Sequence, residues 1–181
     1  MIARAGRVVY ASPAQTHYFN CPLQLAMVPK HLLARGGGAP LSDMPADAAA
    51  TAHALRAGDV VVFATDGVWD NLTNQDILRA VTGEMRAAGA WRVADAGMAT
   101  DPPMLARAVG AGIAAAVARA VVAKAKAAST NDKVDGPFAK EVQKQYPGEI
   151  YHGGKVDDIC VVSCVVTELA STLEESAKAK L

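Results

Sequence analysis

Short apolar runs broken by Gly, Pro and Asn alternate along the chain with longer segments of helical period, and this alternation sets the element order. Arg7 to Ala11 and Pro22 to Val28 read as strands, with the polar, aromatic stretch Thr16 to Asn20 between them. Arg35 to Ala50 shifts to Gly, Pro, Ala and Asp, including Gly36, Gly37 and Gly38, and reads as a loop. Asp59 to Thr65 is apolar without alternation, as a strand covered on both faces should be, and Asp66-Gly67 ends it. Thr73, with Asp76 three residues on, predicts an N-cap for a helix over Asn74 to about Ala88. Leu105, Val109, Ile113, Val117 and Val121 predict one alanine-rich helix from Leu105 to about Ala128. A short helical turn is expected at Ala139 to Gln145, and Ile159 to Thr167 reads as another buried strand. Residues 1–168 form a single domain in this reading and 169–181 a polar tail.

Composition narrows the classes of function. Lys plus Arg (18) balance Asp plus Glu (18), so no global field draws in a nucleic acid or an anionic membrane. The longest uncharged stretch of the alanine-rich region, Ala108 to Ala118, is too short for the roughly 20 residues of a membrane span. Cys21, Cys160 and Cys164 lie in apolar surroundings and read as buried thiols of a reducing compartment. Gly110 and Gly112 fall inside the alanine helix, where close packing is the simplest reason for them. Of the four histidines, His17, His31, His53 and His152, no two share an i, i+4 spacing; His152 alone lies near a candidate site, where it could position a leaving group.

Acidic groups flank the two best strands: Asp66 closes the first, and Asp157 with Asp158 opens the last. Were these strands antiparallel neighbours, the carboxylates would converge on one sheet edge. Oxygen-only ligands suit Mg²⁺ or Mn²⁺, whose bound water can hydrolyse a phosphate ester. Spacing alone favours ordinary turns and caps over a metal site, since an Asp-Gly after a strand is common turn chemistry.

The segments ATDGVWDNL (Ala64 to Leu72) and GGKVDDICVV (Gly153 to Val162) resemble the strand-end motifs of the PPM (type 2C) metal-dependent protein serine/threonine phosphatases. HYFNCPLQL (His17 to Leu25) and PFAKEVQKQYPGEIYHGGK (Pro137 to Lys155) are similar to the family's mitochondrial and plastid branch. The resemblance implies an α+β fold, part of a β-sandwich flanked by helices in α-β-β-α layers. It implies a phosphoprotein substrate, hydrolysis by a water activated between two Mg²⁺ or Mn²⁺ ions, and a mitochondrial location. Asp66 and Asp157 match metal ligands, Gly67 the glycine after the first, and Asp70 a position tied in some members to a further, weaker ion. Asp158 stands where many relatives have Asn and is expected to shape the turn by accepting backbone N–H bonds. The family's early Glu-Asp pair, its Asp-Gly-His stretch and its phosphate-binding Arg have no counterpart here. The resemblance therefore implies the C-terminal part of the domain, with no activity of its own, and leaves an inactive fragment or pseudophosphatase acting as a binding module as the alternative.

Overall fold

A computed structural model of the chain describes residues 1–26 and 42–168. The expected loop around Gly36 to Gly38, His31, the end of the Pro22–Val28 run and the tail 169–181 lie outside the described residues.

Contacts divide the chain into two units, Ser12–Ala54 and a larger one made of Met1–Ala11 with the chain from Leu55 onward. The larger unit is built on a four-stranded, wholly antiparallel sheet of β1 (Ile2–Arg4), β2 (Arg7–Tyr10), β5 (Val60–Ala64) and β8 (Val161–Val165), in the order β2-β1-β5-β8. The smaller unit holds the short hairpin β3 (Thr16–Tyr18) and β4 (Cys21–Pro22), so the first strand of that region forms from the polar stretch that sequence reading left between strands. Within it, His17 Nε2 pairs with Asp43 at 3.0 Å, and His53 with Thr51 at 3.0 Å.

Among the described residues, five helices follow β5: α1 (Asp66–Trp69), α2 (Asn74–Ala87), α3 (Pro102–Gly110), α4 (Ile113–Ser129) and α5 (Pro137–Gln145). α2 starts where the capping pattern predicts: the Thr73 hydroxyl accepts from Asp76 N–H, and the Asp76 carboxylate accepts from Thr73 N–H. Ile77, Val81 and Met85 on α2 interlock with Val117, Val121 and Ala125 on α4, and both sets bury Ala3, Val60 and Val62 of the sheet. Area lost from water here is the main favourable term, at roughly 1.5–3 kcal/mol for each large apolar side chain.

The single alanine helix expected from Leu105 to Ala128 is instead two helices bent by 76°. Gly112 causes the break: its φ of +78° is left-handed and cannot continue a helix, and a Cβ at Gly110 or Gly112 would meet nothing within 4 Å. Gly112 serves a turn, and neither glycine is required by close packing. Asp101 caps α3 by accepting from Met104 N–H, ahead of Pro102 and Pro103. Between α2 and α3 lies a hairpin the sequence reading missed, β6 (Trp91–Ala94) with β7 (Gly97–Thr100); Trp91 is buried and donates to the Gly58 carbonyl at 3.0 Å. Among the described residues no single helix is long and apolar enough to cross a membrane.

The two faces of the sheet differ. Val60 and Val62 are buried beneath the helices, whereas Phe63 is 61% exposed and its register partner Val162 56% exposed. Cys160 and Cys164 share the parity of Val162 and are also exposed, so the expectation of buried thiols fails for both. An unbroken apolar run predicts burial on both faces, and in β8 only one face is covered.

Candidate metal centre

β5 and β8 pair in register from Val60 opposite Val165 to Ala64 opposite Val161. Thr65 extends this pairing past the strand ends: its N–H donates to the Cys160 carbonyl, and its hydroxyl accepts from Cys160 N–H and donates to the Asp158 carbonyl. The end of one strand therefore lies beside the start of the other, and Asp66, first residue of α1, comes next to Asp157. One carboxylate oxygen each from Asp66, Asp70 and Asp157 lies within 4.8 Å of the other two.

Gly67 makes this approach sterically possible. A Cβ there would stand 2.5 Å from the Asp158 carbonyl oxygen and 3.1 Å from Asp157 Cβ. Backbone cannot yield as a flexible side chain does, so the Asp-Gly pair is required by the fit of α1 against the Asp157 segment and not by a turn conformation. Asp158 acts through its backbone, the reverse of the side-chain role expected for it: its N–H donates to Asp157 Oδ1 at 2.8 Å and its carbonyl accepts from Thr65.

Two residues that sequence reading passed over complete the cluster. Asn71 is buried and clamps the Lys155 backbone from both sides, accepting from its N–H and donating to its carbonyl, each at 2.8 Å. Its Nδ2 also donates to the Gly67 carbonyl, so one side chain ties α1 to the segment that carries Asp157. Lys155 Nζ lies 2.6 Å from Asp70 Oδ2 and 2.8 Å from Asp157 Oδ2. It also stands 4.8 Å from the centre of the Phe138 ring, which packs edge-on against Tyr151. Asn71 was visible in the quoted motif; the pairing of Lys155 with Asp70, 85 residues away, has no local signal.

Partial burial works to lower the pKa of Lys155, but the hydrogen bonds and charges of Asp157 and Asp70 outweigh it and hold the ammonium firmly protonated. The Lys155 hydrogen bond and the Asp158 N–H keep Asp157 below the usual carboxylate range. Burial pushes Asp70 up, and the charges of Asp66 and Asp157 add to it against the pull of Lys155. Among the described residues, these three carboxylates exceed what the Lys155 ammonium neutralises. The donor set, oxygen only and partly exposed, fits a hard divalent cation such as Mg²⁺ or Mn²⁺. His152 belongs to a neighbouring network: its Nδ1 lies 3.2 Å from Asp135 Oδ2 and 3.3 Å from Gln143 Nε2.

Sequence comparison finds protein phosphatases. The chain is 33% identical over 165 residues to a protein phosphatase PTC7 homolog from Drosophila ananassae, covering 90% of this chain and 41% of that protein. It is 31% identical over 166 residues to the Arabidopsis thaliana "Probable protein phosphatase 2C 80", covering 92% of this chain and 31% of that protein. No protein-family model matches the chain. Among solved structures, the photosystem II phosphatase PBCP has the same fold, with a TM-score of 0.62 at 22% identity over 93% of this chain and 55% of that one. The chain thus spans about two fifths or less of these curated relatives. Over nine tenths of its own length it is similar in sequence and fold to type 2C protein phosphatases, in the α+β class that its motifs imply.

Proposed function

We propose that the chain supplies part of the active site of a metal-dependent protein serine/threonine phosphatase, with Asp66 and Asp157 as ligands to Mg²⁺ or Mn²⁺ and a phosphoprotein as substrate. The observation that carries this reading is the convergence of Asp66, Asp70 and Asp157 at the paired ends of β5 and β8, in a chain whose relatives are named protein phosphatases. A bound divalent ion would supply an acidified water and neutralise charge on the phosphoryl oxygens. The chain's own residues hold the geometry: Thr65 and Asn71 lock the two acidic segments together, and Gly67 lets them close up. A mitochondrial location is supported only by the similarity to PTC7 homologs.

In a full-length form of the domain, Asp66→Asn or Asp157→Asn should lower Mn²⁺-dependent hydrolysis of a phosphothreonine peptide by about 100-fold or more, with the circular dichroism spectrum unchanged. Retained activity in either variant contradicts the assignment. The isolated chain should show no turnover above its Asp66→Asn background, because it supplies only part of a metal site and no arginine in it matches the family's phosphate-binding position.

A further inference from the structure

The role of Asp70 turns on Lys155, and the argument rests on the metal reading given above. The ammonium is no loose surface group. Its side chain is 21% exposed, its backbone is clamped by buried Asn71, and its head is set against the Phe138 ring. So placed, it donates to Asp70 Oδ2 and Asp157 Oδ2, two of the three groups that could share a cation.

We propose that Lys155 is a tethered competitor for the cation site, which takes Asp70 as its counter-ion and leaves Asp66 and Asp157 to bind the metal. Three observations carry this. Asp70 is the nearer of the lysine's two partners, at 2.6 Å against 2.8 Å. Asp157 keeps Oδ1 turned toward the Asp158 N–H, so the lysine engages only its other oxygen. Asp66 makes its hydrogen bond to the adjacent Gly67 N–H and not to the lysine, so it is the carboxylate least committed within the protein. A fixed positive charge within hydrogen-bonding distance of the ligands repels an incoming divalent ion and removes a ligand from it. The site should then hold its ion loosely and through fewer protein oxygens than three carboxylates would offer.

Mn²⁺ binding to the chain, followed by the electron paramagnetic resonance signal of the free ion, tests this without reference to turnover. Lys155→Met keeps the apolar contact with Phe138 and removes the charge; it should tighten Mn²⁺ binding about tenfold or more. Lys155→Gln, as a second neutral variant, should do the same, and Lys155→Arg should stay within about twofold of wild type. The double variant Lys155→Met/Asp70→Asn should lose the gain, because Asp70 becomes a metal ligand only when the lysine has gone. Circular dichroism confirms that each variant folds. If wild type binds Mn²⁺ in an Asp66-dependent way and neither neutral variant binds it more tightly, the competitor role is wrong and the metal reading stands. If neither wild type nor the neutral variants bind Mn²⁺ at millimolar concentration, both fall.

Discussion

The two ends of β5 carry acidic residues of opposite character. Before the strand, Asp59 is wholly buried: Arg4 grips both carboxylate oxygens at 2.7 Å and Arg56 N–H donates at 2.8 Å. Burial works to raise its pKa, but Arg4 and the Arg56 N–H more than offset this and hold it low. After the strand, Asp66 is exposed and bonded to its neighbour's N–H, and it shares its corner with Asp70, Asp157 and the Lys155 ammonium. One carboxylate has both oxygens bonded by its own protein, and the other cluster sets three carboxylates against the Lys155 ammonium. The difference separates an acid that joins β1 to β5 from acids to which the proposed function gives a cation.

Breaking the satisfied end should do the most damage. Asp59→Ala leaves the Arg4 guanidinium without its partner at the edge of the core, and should cost about 3 kcal/mol in a denaturant melt. A cost under about 1 kcal/mol would mean that the pair is no more than a surface ion pair. Gly67→Ala comes next, because the new Cβ must push apart α1 and the Asp158 backbone. It should destabilise by about 2 kcal/mol and weaken Mn²⁺ binding, and a silent substitution would show that the close approach is not required.

A third acid sharpens the contrast through pH. Hydrogen bonds from Gln143 and from Gly153 N–H, with His152 alongside, hold Asp135 at about 2. Since this lies below its unfolded value of 3.8, its contribution to stability is present above about pH 4 and is lost as pH falls toward 2. The difference in melting temperature between wild type and Asp135→Ala should therefore shrink as pH falls below 4. A gap that persists at pH 2 would contradict this. The smallest effect belongs to the exposed end: Asp66→Asn should change stability by less than about 0.5 kcal/mol, since it relieves repulsion and leaves an oxygen to accept from Gly67 N–H. A loss as large as that of Asp59→Ala would make Asp66 structural.

Much of this arrangement was legible from sequence where the signal is local. The Thr73/Asp76 capping pattern gave the start of α2, and the bounded apolar runs gave β5 and β8, with Asp66 and Asp157 at their ends. What was not legible depends on tertiary contact. The break at Gly112 was hidden because the apolar stripe continues through it, and the burial of β8 was overstated because only one of its faces meets helices. Lys155 was absent from the candidates altogether, since an ammonium between two acids depends on a pairing 85 residues apart.

The most direct test of the cation site is a crystal of the chain grown with millimolar Mn²⁺ and measured for anomalous scattering at the manganese edge. The account predicts a peak at about 2.2 Å from carboxylate oxygens of both Asp66 and Asp157, with Lys155 Nζ still on Asp70. An empty corner between Asp66 and Asp157, with the fold intact, would contradict it.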